Sequence, residues 1–332
     1  MPPPRTDSVH PHAEVVRGQV RLTSFRRVSH GLYLRKAERL GDHEEFLREL
    51  RAWTRVLPPG AAFTHLTGAR LRGWRLPAVP PQVPVFAAVH GTERRPRRPG
   101  LICSRLVEPA AGTCTIELRH GLPVDAPEEI LLRAARDLGV LDLVIMIDSA
   151  LAAGDLDPDR MQALLSSGRP GVRVARTAYD LATARCESAG ETVLRLFHQQ
   201  MEVQVEPQVD LYDAAGTFLG RADLLVSALG AVHEYDGAGH RRAAQHRADL
   251  RRERGWSGTG YQRRGFTLDD LLNHPAIVMH ELDRALGRAH DPRRVVRWRR
   301  LVANSLYDEQ GRSRTLNRWR RAMGFDDWSR TA

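Results

Sequence analysis

Apolar residues recur along this chain with two different periods. From Asp42 to Leu57 the spacing is helical and sets Phe46, Leu50 and Trp53 on one face, and Phe63 to Trp74 predicts a second short helix ending near Gly73. Arg27 to Leu34 alternates as a strand does, and Val83 to His90, Leu101 to Leu106 and Thr113 to Leu118 are further strand candidates. The middle is helical over Pro127 to Leu138, Val140 to Ala153, Asp157 to Leu165 and Val172 to Ala184, with Asp157-Pro158 reading as an N-cap followed by proline. A helix from Ser188 to about Met201 leads into extended runs at Val203 to Tyr212, Leu219 to Val226 and Ala231 to Tyr235, with a turn at Asp213-Ala-Ala-Gly216. A basic helix over Arg241 to Arg254, a short strand over Thr259 to Arg264, and helices over Leu268 to Leu286 and Pro292 to Tyr307 follow. This order predicts an α/β fold with a mixed sheet.

Composition narrows the class. A length of 332 residues predicts roughly two compact units. With 42% hydrophobic and 27% charged residues, and no apolar run near the roughly 18 residues that span a bilayer, a soluble protein is expected and a membrane protein is not. The Pro- and His-rich residues 1–20 predict a loose arm without a secretory signal. Cys103, Cys114 and Cys186 are too scattered for a disulfide framework or a Cys-x-x-Cys zinc site, so a reduced cytoplasm is the expected location.

Charge is unevenly spread. Of the 50 basic residues only Lys36 is lysine, and the formal net charge is +10. Residues 241–332 hold 21 Arg against 11 Asp plus Glu, so the whole excess sits in the last 92 residues. Such a one-sided excess suits a polyanion, most often nucleic acid, and equally suits solvated helix faces.

The strongest chemical signal lies around Asp223 and Glu234-Tyr-Asp236-Gly-Ala-Gly-His240. If the strands ending at Val226 and starting at Ala231 form a hairpin centred between Ala228 and Leu229, Asp223 lies directly opposite Glu234. Asp236, two residues on, then points the same way. Three carboxylates converging on one face repel one another and call for a cation. Oxygen-only ligands suit Mg²⁺, which positions a phosphate and activates water for in-line attack. The alternative is a hairpin face whose acids pair with the abundant arginines. Gly237 and Gly239 permit close backbone approach, and His240 titrates near neutral pH.

Taken together, Arg-x-Asp223-Leu, Glu234-Tyr-Asp-Gly-x-Gly-His240, Asp249-Leu-Arg251, Gly255-Trp256 and the leading Glu187-Ser-x-x-Glu191 resemble the very-short-patch-repair (Vsr)-like endonucleases of the PD-(D/E)XK superfamily over about residues 185–290. The resemblance implies a restriction-endonuclease-like mixed central sheet flanked by helices and hydrolysis of DNA phosphodiester bonds with Mg²⁺ or Mn²⁺. It implies Asp223, Glu234 and Asp236 as metal ligands, with His240 and Glu191 completing the catalytic set. Asp236 stands where the superfamily usually has lysine, and Lys36 lies far upstream. Glu187 and Glu191 at i,i+4 also suit the positive end of a helix on their own account.

Upstream, Phe25-Arg-Arg-Val-Ser-His-Gly-Leu-Tyr33 and Thr64-His-Leu-Thr-Gly-Ala-Arg-Leu-Arg-Gly-Trp74 resemble the region that follows the winged helix in AbiEi-like antitoxin proteins. The expected organisation is an arm (1–20), an α+β AbiEi-like region (21–120), a helical connector (121–184), the nuclease-like domain (185–290) and a basic helical tail (291–332). DNA is the expected partner, contacted by Arg241, Arg242, Arg247, Arg251 and Arg263, and a homodimer is one expected assembly. A non-catalytic DNA-binding or antitoxin-like regulator is the competing expectation. In the tail, Trp298 and Trp319 read as buried anchors of amphipathic helices, with the neighbouring Arg on the wet side.

Overall fold

A computed structural model describes residues 14–18, 23–38, 40–106, 116–237 and 261–324. The chain is mixed α/β, and its contacts divide into two compact units: residues 1–73, 79–134 and 313–332 form the first, and 74–78 with 135–312 the second. Among the described residues no helix is long and apolar enough to cross a membrane.

In the first unit β1 (Val15–Arg17), β2 (Phe25–Ser29) and β3 (Leu32–Arg35) form an antiparallel sheet in the order β1-β3-β2. The alternation over Arg27 to Leu34, expected as one strand, is a hairpin, because the turn at His30 and Gly31 reverses the chain. Helix α1 (Asp42–Thr54) opens with Asp42, Glu44 and Glu45 against its positive end and buries Leu47, Leu50 and Trp53. A five-stranded sheet in the order β6-β5-β4-β8-β7 joins β4 (Ala62–Phe63), β5 (Val85–Val89), β6 (Leu101–Arg105), β7 (Glu117–Arg119) and β8 (Leu122–Val124). Helices α2 (His65–Leu71) and α3 (Pro127–Ala134) belong with it. The helix expected from Phe63 starts two residues later, since Phe63 is spent on pairing with Ala87.

The second unit begins with α4 (Val140–Ala152), α5 (Pro158–Leu165) and α6 (Val172–Asp180). Asp157 caps α5 by accepting from the backbone N–H groups of Asp159 and Arg160, as its sequence predicts. Helix α7 (Ala189–Gln200) leads into a mixed four-stranded sheet, order β12-β11-β10-β9, of β9 (Glu206–Tyr212), β10 (Phe218–Val226), β11 (Ala231–Tyr235) and β12 (Gln262–Phe266). The first three strands are antiparallel neighbours, and β12 runs parallel to β11. The single helix expected over Leu268 to Leu286 is two, α8 (Leu268–Leu272) and α9 (Pro275–Ala285), because Pro275 cannot continue a helix and starts a new one instead. Then come α10 (Pro292–Val302) and α11 (Glu309–Met323), the latter passing from the second unit into the first at Ser313. The helix expected over Arg241 to Arg254, residues 1–13 of the arm and residues 113–115 lie outside the described residues, while Val15–Arg17, expected within the loose arm, form β1 by pairing with β3.

Side chains from α4, α7 and α10 hold the second unit together. Asp148, fully buried on α4, accepts from Arg195 Nη2 at 2.9 Å, Thr192 Oγ1 at 2.8 Å and the Thr183 backbone N–H at 2.7 Å. Trp298 on α10 is also fully buried, edge-on to Phe197 with ring centres 5.3 Å apart, and its Nε1–H donates to the Leu271 carbonyl at 2.7 Å. In the first unit Trp319 is likewise buried, edge-on to Phe86 at 5.4 Å. Both tryptophans therefore anchor helices, as their amphipathic surroundings predict.

Candidate functional site

Strands β10 and β11 are joined by the four residues Ser227 to Gly230, with Gly230 in the left-handed conformation at φ 56° that closes the loop. The register pairs Leu224 with His233, Leu225 with Val232 and Val226 with Ala231, so the next step sets Asp223 across from Glu234. Asp223 Oδ2 accepts the Tyr235 backbone N–H at 2.9 Å, which fixes the carboxylate at the mouth of the pair. Burial pushes the Asp223 carboxyl up to about 6, the Tyr235 N–H opposes this, and the carboxylates of Glu191, Glu234 and Glu187 add to the rise.

Glu191 reaches this place from the first turn of α7. Its backbone N–H is capped by Ser188 Oγ at 3.1 Å, while its Oε2 accepts from the Glu187 backbone N–H and from Gln208 Nε2, each at 2.7 Å. It therefore ties the start of α7 to β9 as well as pressing charge on Asp223. Arg221 turns away from the pair and bonds Asp210 at 2.8 Å and Glu187 at 3.0 Å. Arg263 on β12 behaves differently from the phosphate contact expected of it: Nε donates to Glu234 Oε2 at 2.5 Å, with Nη2 closing on the same oxygen. Parallel pairing of β11 with β12 places Glu234 beside Gly265, and that geometry delivers Arg263 to it.

Asp236 follows β11, its backbone N–H bonded to the Phe266 carbonyl at 2.8 Å and its side chain alongside Gly265. The structure thus brings Asp223, Glu234 and Glu191 together. Among the described residues, no group of three His, Cys, Asp or Glu side chains is arranged to hold a metal ion. Asp223 Oδ1 and Glu234 Oε1 accept no hydrogen bond from a described residue, which leaves two carboxylate oxygens of the kind Mg²⁺ takes together with waters and phosphate oxygens. His240, Arg241, Arg242, Arg247 and Arg251 lie outside the described residues.

The sheet also holds a buried histidine pair that no sequence motif marks. His198 on α7 and His233 on β11 are buried against one another, Nε2 to Nδ1 at 2.8 Å, and His198 Nδ1 donates to the Leu194 carbonyl at 2.9 Å. That bond makes His198 Nε2 an acceptor, so His233 Nδ1–H is the donor between the rings. Burial holds both well below the usual histidine range, helped by the charge of Arg264. The sequence signal was the i,i+4 spacing of Leu194 and His198 on the apolar face of a helix, together with a histidine inside the run Ala231-Val-His233.

No protein-family model matches the chain, and no curated protein matches it. Among solved structures, the Rv2827c protein from Mycobacterium tuberculosis is similar at 19% identity over 52% of this chain and 64% of that one, with a TM-score of 0.35. The match thus spans less than two thirds of that protein's length.

Proposed function

We propose that the second unit is a Vsr-like, metal-dependent DNA endonuclease or nickase that hydrolyses phosphodiester bonds. The observation that carries this reading is the in-register opposition of Asp223 and Glu234 with Glu191 beside them, a site where burial first and the neighbouring carboxylates after it raise Asp223 to about 6. The order α7, three antiparallel strands and a fourth strand parallel to the third is the arrangement this reading requires, and supports it. Asp223 and Glu234 would hold Mg²⁺ or Mn²⁺ with Asp236 at its edge. When bound, the ion polarises the phosphate and lowers the pKa of an attacking water. The Tyr235 N–H orients Asp223, Arg263 holds Glu234 between β11 and β12, and His240 is the group assigned to proton transfer. With no lysine in this unit, arginine is confined to stabilising charge on the phosphate.

A second reading is favoured by the Arg263 pair. One of the two carboxylates is already neutralised, as in a DNA-binding or antitoxin-like regulator that keeps the fold without the reaction. Supercoiled plasmid and mismatched duplexes incubated with Mg²⁺, Mn²⁺ or EDTA separate the two. The nuclease reading expects metal-dependent nicking that disappears in Glu234→Ala and Asp223→Ala, while DNA binding persists. Because Asp223 must lose its proton to bind the ion, nicking and Mn²⁺ affinity should rise as pH passes through about 6. Salt-sensitive DNA binding with no nicking in any metal decides for the regulator.

A further inference from the structure

The loop between β5 and β6 carries Glu93 and then Arg94, Arg95, Arg97 and Arg98, punctuated by Pro96 and Pro99. It is pinned at several points. Arg98 Nη1 donates to the His30 carbonyl at 2.5 Å, Arg105 Nη1 donates to the His90 carbonyl at 2.8 Å and to that of Glu93, and Ser29 Oγ donates to the Pro99 carbonyl at 2.9 Å. These bonds bring the loop over the β2–β3 hairpin and enclose a cleft of about 1260 Å³ within the first unit. Arg17, Arg27 and Arg55 come to it from β1, β2 and the end of α1.

Among the described residues, eight arginines line this cleft against one carboxylate, that of Glu93. None of the eight forms an ion pair with a described carboxylate, whereas Arg26, Arg48 and Arg133 of the same unit each meet one within 2.9 Å. Arg27 Nε–H is buried without an acceptor, and burial, followed by the charge of Arg17, holds Arg98 below the usual arginine range. Guanidinium groups gathered and fixed in this way repel one another until an anion enters. The cleft is larger than the roughly 300–1,000 Å³ of a small-molecule site, and its cations are spread over β1, β2, the end of α1, the β5–β6 loop and β6, which suits a chain of phosphates rather than one. No described Phe, Trp or Tyr lines it, so its described lining offers no stacking platform of the kind single strands use.

We propose that this cleft binds the phosphate backbone of double-stranded nucleic acid without reading its sequence. It is independent of the acidic pair in the second unit and stands whether or not that pair cleaves DNA.

The test is fluorescence anisotropy of a labelled duplex with the full-length protein in EDTA, titrated from about 50 to about 200 mM salt. Arg95 and Arg97 are exposed and bond no described residue, so Arg95→Gln/Arg97→Gln leaves the fold unburdened, which circular dichroism verifies. Arg299→Gln/Arg300→Gln on α10 removes the same charge outside the cleft and serves as the control. The expected result is a loss of about tenfold or more in affinity, and a salt slope shallower by about two, for the cleft variant, with the control within about twofold of wild type. Equal losses in both variants, no loss in the cleft variant, tighter binding of single strands than of duplex, or binding of anionic vesicles but not of duplex overturns the proposal. Plasmid nicking by the same variants with Mg²⁺, beside Asp223→Ala, keeps this outcome apart from that of the nuclease reading.

Discussion

His198 and His233 give the second unit a definite response to acid. Both stay neutral in the folded protein well below pH 6.5, His198 down to about 4, whereas the unfolded chain takes up a proton at each near 6.5. The unfolded state therefore binds more protons throughout that window, and stability falls as pH drops from 6.5 toward 4, by up to about 1.4 kcal/mol per pH unit for each ring. Asp223 acts in the opposite sense, since its raised value favours the folded state below 3.8 and loses that advantage as pH climbs through about 6. Urea midpoints measured between pH 7 and pH 5 should fall steeply in wild type and less in His233→Gln; equal slopes would remove the pair from this role. At this scale the sequence was partly legible. The centre of the hairpin loop fixes the parity of both strands, so the facing of Asp223 and Glu234 follows from local spacing alone. The Arg263 contact does not, because β12 is separated from β11 by a long stretch of chain and no local turn sets its register.

Among the elements, α7 is the one on which the site depends. It lies so close to the sheet that a Cβ placed on Gly190 would sit 2.0–2.3 Å from the Tyr235 ring. Tyr235 is also the residue whose N–H orients Asp223. Gly190→Ala should therefore destabilise the second unit by about 1–3 kcal/mol, as overpacking does, and weaken metal binding at the acidic pair along with it. Thermal unfolding and Mn²⁺ titration check the two effects, and an unchanged melting temperature would show that helix and sheet yield freely. Propensity and periodicity made this helix easy to recognise, yet they carry no information about the distance between helix and sheet. That distance is decided by a residue with no side chain at all.

For the whole molecule, the count of formal charge does not say which guanidiniums are available. Counting residues assigns the excess to 241–332, and within the described part of that region Arg263, Arg264, Arg288, Arg294 and Arg297 are each engaged by a carboxylate. Guanidiniums that meet no described carboxylate occur there too, Arg299 and Arg300 among them, and a further cluster of them gathers around residues 94–105, within residues 1–240 whose count balances. A sequence count cannot anticipate this, because pairing depends on which acids the fold brings within reach. The division of the chain was also only partly legible. Arg195 of the region expected at 185–290 is paired with Asp148 of the expected connector, and Phe197 packs on Trp298 of the expected tail. A fragment spanning residues 185–290 leaves that buried arginine without its carboxylate, a loss of about 3–5 kcal/mol, and should fail to unfold cooperatively where the span 135–312, the continuous part of the second unit, succeeds. Calorimetry of the two fragments decides it.

The return of α11 to the first unit, with Trp319 sealed against Phe86, has a bearing on how the protein is made. A ribosome delivers residues 1–134 early and the closing segment last, with residues 135–312 in between. At about 10 residues per second, the nascent first unit waits roughly twenty seconds with its tryptophan pocket open before the piece that fills it emerges. During that interval its exposed apolar surface is available to chaperones, and a message broken before the codon for residue 313 yields a chain in which the first unit, though translated up to residue 134, is never completed.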